Sequence, residues 1–86
     1  MRNYNDPIYK KMRKKVLRRD GFKCQMPNCK KRKRLHVHHI VRWADAAVLR
    51  YEEWNMITLC RTCHESIKNK ESHFASMFQE IVSRRK

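Results

Sequence analysis

The apolar positions near the start of the chain follow a helical period. They recur every four residues and form one narrow stripe: Ile8, Met12 and Val16. Asp6 followed by Pro7 is a typical helix start, with a carboxylate at the N-cap and a proline at the first helical position. Gly21 lies where a helix C-cap favours glycine. The pattern therefore predicts a helix over residues 7–20.

Two short apolar segments have the length and composition of β-strands. The first is LHVHHIV, residues 35–41, and the second is residues 56–59, which end against Cys60. Residues 43–54 connect them, and we expect this connector to contain a short helix after Asp45. Together with the helical patterns on either side, the two strands predict a small α+β domain.

The last third of the chain returns to a helical period from about Thr62. Its apolar positions lie on one helical face: Ile67, Phe74, Met77, Phe78 and Ile81. Such a face packs against the rest of the domain or against a partner, which is either a second copy of the chain or another protein. We expect a C-terminal helix over residues 69–83.

The length of 86 residues predicts a single domain, residues 1–86, with a core too small to be stable without a metal, disulfides or oligomerisation. The N-terminus lacks the apolar segment of a signal peptide, and no apolar segment is long enough to span a membrane. We therefore expect a cytoplasmic protein. In that reducing compartment, cysteines bind metals more often than they form disulfides.

The charge is strongly unbalanced, with 22 lysines and arginines against 8 acidic residues and a net charge of +14. Seven of the ten residues from Lys10 to Arg19 are basic. Nucleic acid is the partner that such clustered charge favours, because cations that bind phosphates release counterions. A solvated basic surface and a basic membrane-binding face are the alternatives, and the second lacks an accompanying lipid-facing stripe.

The four cysteines form two close pairs, C-x4-C at Cys24 and Cys29 and C-x2-C at Cys60 and Cys63. Pairs with these spacings favour a tetrahedral zinc ion. The alternatives are buried free thiols and a redox CxxC, although the βαβ setting of a redox pair is missing. We predict a structural zinc on all four thiols, which adds folding energy to a small core. Such a site leaves no open coordination position for chemistry.

An unbroken basic segment follows the first cysteine pair: Lys30, Lys31, Arg32, Lys33 and Arg34. A solvated loop or a localisation signal has the same composition. Because the segment lies beside a metal-binding turn, we predict that these five side chains bind backbone phosphates of nucleic acid. Arg61, between the cysteines of the second pair, is either a further phosphate contact or a surface charge.

Histidines are concentrated in the first predicted strand, where His36, His38 and His39 occupy three of four positions. Neighbours in a strand point to opposite faces, so His38 and His39 cannot serve one site in the same way. His64 directly follows the last cysteine, so a bound zinc would also fix the direction of its side chain. We expect His38, Asn55 and His64 to surround one spot. His36 shares the face of His38 and lies either next to the site or exposed to solvent.

Four features of the chain belong together: RDGFKCQMPNC, LHVHHI, the central Asn55 and LCRTCH. In combination they resemble the HNH endonucleases, which have the zinc-stabilised ββα-metal fold, also called the His-Me finger. The resemblance covers about residues 17–68. It implies a core over residues 22–68, flanked by the N- and C-terminal helices, and small free-standing relatives are carried by bacteriophages and bacteria. Two positions depart from the family pattern: His38 replaces a frequent aspartate, and Lys68 replaces a histidine found in some relatives.

The resemblance also implies a role for each site residue. His39 matches the general base that activates water, and His38 and His64 match the ligands of the catalytic divalent ion. Asn55 matches an asparagine that, in different relatives, either ligates the metal or holds the loop carrying the base. The family hydrolyses phosphodiesters, mainly of DNA.

These roles agree with the chemistry of the side chains. Imidazole titrates near neutral pH, so His39 can accept a proton from water. A metal on two histidines keeps positions open for phosphate, and imidazole suits Ni²⁺, Zn²⁺ and Mn²⁺ at least as well as Mg²⁺. We therefore predict a metal-dependent DNA endonuclease of low sequence specificity in a bacterial or phage-infected cell, with RNA open as a substrate. The alternatives are a zinc module that binds nucleic acid without cutting it and a nuclease subunit that needs a partner.

Overall fold

The computed structural model describes residues 6–41 and 51–85. Along the chain these residues form helix α1 (Pro7–Arg19), strand β1 (Leu35–His39), a 3₁₀ turn (Glu53–Asn55), strand β2 (Met56–Cys60), helix α2 (Arg61–Ser66) and helix α3 (Glu71–Ser83). The predicted α+β class is confirmed, and both strands are present, although β1 ends at His39, two residues before the predicted end at Val41. The short helix expected after Asp45 lies outside the described residues.

Helix α1 begins and ends at the predicted signals. The Asp6 carboxylate accepts a hydrogen bond from the backbone N–H of Ile8 at 2.9 Å, which is the N-cap bond. At the other end Gly21 has φ +69°, and its N–H donates to the carbonyl of Arg18 at 3.0 Å. The N–H of Phe22 donates to the carbonyl of Leu17 at 2.8 Å, completing a Schellman C-cap. The helix ends at Arg19, one residue before the predicted end.

The buried face of α1 is rotated from the predicted stripe. Val16 is buried, but Ile8 is 59% exposed, so the prediction was wrong for Ile8. Tyr9 and Leu17 are buried instead. The large ring of Tyr9 stacks on His39 of β1, with ring centroids 6.4 Å apart. Packing an aromatic ring against the strand therefore sets the orientation of the helix, which a four-residue spacing alone does not determine.

The two strands pair antiparallel, with His39 opposite Met56, His38 opposite Ile57 and His36 opposite Leu59. All of β2 is buried because both faces of the hairpin are covered. One face packs under α1 in a cluster that includes Val16, Leu17, Val37 and Met56. The other packs against the C-terminal helices in a cluster that includes Ile57, Leu59, Ile67, Phe78 and Val82. Residues that alternate along β1 consequently meet two different surroundings.

The C-terminal helical segment is interrupted between α2 and α3. Asn69 has φ +65°, and the N–H of Lys70 donates to the carbonyl of Ile67 at 2.8 Å. The predicted apolar face nevertheless packs onto the domain, with Ile67 and Phe78 in its core and Phe74, Met77 and Ile81 against it. None of the helices in the described residues is long and apolar enough to cross a bilayer.

An ion pair fixes the end of α1 to β2. The buried carboxylate of Asp20 accepts hydrogen bonds from the Arg19 guanidinium, with Nε at 2.9 Å, and from the backbone N–H of Thr58 at 3.0 Å. The same guanidinium donates to the carbonyls of Glu53 at 2.7 Å and Met56 at 2.6 Å. Arg19 is therefore a structural residue, unlike the exposed basic residues of the helix.

Candidate metal centres and active site

The four cysteines lie together, as the zinc prediction requires. All four Sγ atoms are within 4.8 Å of one another, and those of Cys29 and Cys60 are 3.8 Å apart. A tetrahedral shell with Zn–S bonds of about 2.3 Å separates its sulfur atoms by roughly 3.8 Å. The cluster therefore fits a tetrahedral metal ion of zinc size.

Local backbone structure aims each cysteine pair at this point. Asn28 has φ +67° and the N–H of Cys29 donates to the carbonyl of Met26 at 3.0 Å, so the first pair flanks a tight turn with Pro27 and Asn28 at its central positions. Cys60 is the N-cap of α2, and its Sγ accepts from the N–H of Cys63 at 3.4 Å. One pair thus lies at a turn and the other at a helix start.

The thiols perturb one another. Burial raises the pKa of Cys24, and burial together with hydrogen bonds among the neighbouring thiols raises the pKa of Cys63. Burial also raises the pKa of Cys60, but hydrogen bonds from the backbone and side chain of Cys63 and from the other thiols outweigh it and lower that pKa to about 7. Negative charge in the cluster is therefore most stable on Cys60, at the N-terminus of α2.

Three imidazoles come together where β1 meets α2. The Nδ1 atoms of His36 and His64 are 3.1 Å apart, and the ring centroids of His38 and His64 are 5.2 Å apart. His38 is buried and its ring also packs edge-on against Phe78. His38 and His64 are therefore neighbours, as expected, and His36 lies next to the site. Its position two residues before His38 is the sequence signal that places it on this face.

His39 lies on the opposite face of β1, under α1. Its ring is stacked with that of Tyr9 at an interplanar angle of 17°, and the residue is only 2% exposed. The alternation of His38 and His39 agrees with the strand geometry. The sequence did not predict that Tyr9 covers His39, because this contact depends on how α1 packs against β1.

Asn55 uses its side-chain amide to hold the backbone that follows β1. Its Oδ1 accepts from the N–H of Val41 at 2.8 Å, and its Nδ2 donates to the carbonyl of Val41 at 3.1 Å. Its own backbone carbonyl accepts from the N–H of Ile40 at 2.8 Å. These bonds engage both polar atoms of the amide, an arrangement that suits a loop-holding residue.

A cleft of about 440 Å³ opens between α1, β1 and α2. It is lined by Tyr9, Lys10, Arg13, Leu35, His36, Val37 and His64. Lys10 and Arg13 place positive charge on the α1 side, opposite the two imidazoles. The guanidinium of Arg13 donates to the carbonyl of Leu35 at 3.2 Å, which fixes the arginine at the wall of the cleft.

The basic segment of residues 30–34 is exposed throughout and lies beside the cysteine cluster. Lys31, Lys33 and Arg34 line a cavity of about 260 Å³ together with Arg61 of α2. The two parts are joined by the N–H of Arg61, which donates to the carbonyl of Arg34 at 2.9 Å. The predicted phosphate-binding side chains on these two elements thus lie close together.

One comparison with known proteins identifies the chain. The family model for the HNH endonuclease matches residues 24–70, which is more than half of the sequence. This segment contains all four cysteines, the imidazoles of β1 and α2, and the asparagine that precedes β2. Comparison with curated proteins and with solved structures gives no match. The two strands and the helix that follows them, with the four-thiol cluster at the helix start, are the ββα-metal arrangement, and the chain belongs to the HNH endonuclease family.

Proposed function

We propose that the protein is a metal-dependent endonuclease that hydrolyses DNA phosphodiester bonds with low sequence specificity. The observation that carries the proposal is the division of β1 into two faces. His38 meets His64 on one face, and His39 meets Tyr9 on the other. Phosphodiester hydrolysis needs both a cation for the phosphate and a base for water, and adjacent residues of one strand supply the two.

His38 and His64 would hold the catalytic divalent ion, Mg²⁺, Mn²⁺, Ni²⁺ or Zn²⁺. When bound, such an ion stabilises charge on the phosphate and on the leaving oxygen. Neutral imidazoles suit the softer ions of this set and leave the positive charge of the ion undiminished. The proximity of the two rings supports the assignment, since the centroid separation of 5.2 Å lets both reach one ion.

His39 would act as the general base. A neutral imidazole accepts the proton of the attacking water near neutral pH, and the stacked Tyr9 ring holds it in one orientation. Asn55 would keep the loop after this strand in place through its two bonds to Val41, in preference to a role as metal ligand. His36 would be a positioning residue that fixes His64 through the Nδ1 contact.

The thiol cluster would hold a structural zinc, and the basic residues would bind the nucleic acid. Lys30, Lys31, Arg32, Lys33, Arg34 and Arg61 are exposed side chains suited to backbone phosphates. Contacts to phosphates carry no base information, so low specificity follows from them. Three further points stay predictions. They are activity on RNA, a single domain over residues 1–86, and a cytoplasmic site of action in a bacterial or phage-infected cell.

Cleavage of supercoiled plasmid tests the proposal. Protein that retains its structural zinc is supplied in turn with Mg²⁺, Mn²⁺, Ni²⁺ and additional Zn²⁺, and His39→Ala serves as the folded control. Metal-dependent conversion to open-circle or linear plasmid, lost in the variant, is the expected result. Binding of plasmid without cleavage under every ion would instead identify a nucleic-acid-binding module or a nuclease subunit that needs a partner.

A further inference from the structure

The cleft between α1, β1 and α2 has no role in the predicted set of nucleic-acid contacts, which lies on the basic segment and Arg61. We propose that this cleft seats the phosphodiester backbone of the nucleic acid, and that Lys10 and Arg13 contact the phosphates flanking the one that is cut. The inference rests on the proposed function, because it takes His64 as a ligand of the catalytic ion.

The charge of the cleft favours an anionic occupant. Lys10 is exposed at the rim and Arg13 is half-buried in the wall, both on the side that faces His36 and His64. No acidic side chain lines the cleft among the described residues. Its volume of about 440 Å³ lies within the range of roughly 300–1,000 Å³ that is usual for ligand sites. A backbone phosphate with its sugar is an occupant of matching charge and chemistry.

Arg13 is prearranged for such an occupant. One N–H of its guanidinium donates to the carbonyl of Leu35 at 3.2 Å, which ties the side chain of α1 to the start of β1. A guanidinium carries five N–H donors, so one bond to a carbonyl leaves most of its capacity for an anion. A held arginine loses less side-chain entropy on binding a phosphate than a mobile one does.

The cleft also adjoins both halves of the proposed active site. His64 lines it directly, and Tyr9 lines it while stacking on His39. A strand held here by Lys10 and Arg13 would place a phosphate beside the metal-binding imidazoles and near the ring that covers the base. The cavity beside Arg61, which basic residues also line, includes Cys60 and none of the histidines.

Helix α1 provides a matched control. Lys14 is exposed on the same helix and carries the same charge as Lys10, but it does not line the cleft. Lys10→Gln and Lys14→Gln therefore remove one charge each from nearly the same place. Only the first removes a charge that the proposal puts against a phosphate.

The experiment is a titration of a short fluorescein-labelled DNA duplex, with structural zinc present and no other divalent ion, over a series of salt concentrations. We expect Lys10→Gln to weaken binding and to reduce the slope of log K against log salt by about 0.9, the value for one phosphate contact. Lys14→Gln is expected to leave the slope unchanged. Lys10→Gln combined with Arg13→Gln should reduce it by roughly twice as much.

Equal changes in the salt slope for Lys10→Gln and Lys14→Gln would overturn the proposal. The helix would then attract DNA only through its total positive charge, without a specific phosphate contact at Lys10. Arg13→Gln also removes the hydrogen bond to the carbonyl of Leu35, so the thermal stability of every variant is measured beside its titration. If the double variant is unfolded, the result for Lys10→Gln alone decides the test.

Plasmid cleavage separates the two proposals. A wild type that cuts DNA while the two lysine variants bind alike would refute the cleft and leave the nuclease. A Lys10-specific change in slope without any cleavage would support the cleft as a site for backbone phosphates, and would assign the chain as a binding module or as a nuclease subunit that needs a partner.

Discussion

His36 and His64 face each other through their Nδ1 atoms at 3.1 Å, and this contact joins β1 to α2 at the proposed metal site. A hydrogen bond between two imidazole nitrogens needs one protonated and one unprotonated atom. If Nδ1 of His64 is the donor, its Nε2 carries the lone pair that a metal requires. The neighbouring histidine would then select the tautomer of the ligand, as outer-shell acceptors commonly do.

His36→Ala is expected to weaken binding of the catalytic ion by about 10- to 100-fold, the usual effect of losing such an acceptor. His36→Gln should retain part of the affinity, because its side-chain oxygen can accept the same hydrogen bond. Calorimetric titration of zinc-loaded protein with Mn²⁺ or Ni²⁺ measures both variants. His73→Ala, at an exposed position of α3, is the control. Affinities equal to that of the control would show that His36 does not position the ligand.

Asn55→Ala tests the loop-holding role. Removing the amide leaves the N–H and carbonyl of the half-buried Val41 without their side-chain partners; a fully buried group left unsatisfied costs roughly 1–3 kcal/mol, which is an upper bound for each of these two. We therefore expect a lower free energy of unfolding in denaturant and a fall in plasmid cleavage, with metal affinity nearly unchanged. His64→Ala is the comparison for metal binding. A matching loss of metal affinity in Asn55→Ala would assign Asn55 as a ligand instead.

Breaking the Arg19–Asp20 pair should destabilise the fold. Asp20→Ala leaves a guanidinium with only 12% of its side chain exposed and without its carboxylate, and removing one partner of a buried pair typically costs about 3–5 kcal/mol. Chemical denaturation measures the loss. Glu65→Ala breaks the pair between Arg61 and Glu65, whose side chains are 58% and 62% exposed, and is expected to cost less than about 1 kcal/mol. Similar costs for the two variants would contradict the structural role of the Arg19–Asp20 pair.

Removing zinc should unfold the domain, since structural zinc sites supply about 10–16 kcal/mol of binding energy to small folds. Circular dichroism during titration with a chelator measures the unfolding. Zinc binding displaces protons from the thiols, so affinity is expected to fall as pH decreases and the thiols take up protons. Cys60→Ser should lose zinc and fold together, whereas His39→Ala should keep both. Helical signal that survives complete zinc removal would contradict this prediction.

Signals confined to a few neighbouring residues were sufficient for much of the fold. The Asp6 cap, the turn at Asn28 and the Gly21 C-cap each depend on local backbone chemistry, and all three are in the structure. The opposite faces of His38 and His39 followed from strand geometry. The cysteine cluster followed from the pair spacing, and the family resemblance is confirmed by the match over residues 24–70.

Other features depend on contacts between distant segments and left no local signal. Ile8 and Tyr9 are neighbours on α1, and packing of the helix against the hairpin, where Tyr9 stacks on His39, buries Tyr9 and leaves Ile8 exposed. In the sequence, nothing distinguishes Arg19 from the other basic residues of α1. Its structural role depends on hydrogen bonds to the carbonyls of Glu53 and Met56, which lie more than 30 residues later in the chain. The contact of His36 with His64 similarly requires the packing of α2 against β1.

The adjacency of His38 and His39 in one short strand affects how the site can change during evolution. A point substitution alters one imidazole and leaves the other in place. Loss of a single residue between Leu35 and His38 would instead turn both side chains to the wrong face, because the side-chain period of a strand is two. The pair is therefore inherited as a unit: substitutions can adjust one member at a time, but insertions and deletions before it in β1 remove both functions at once.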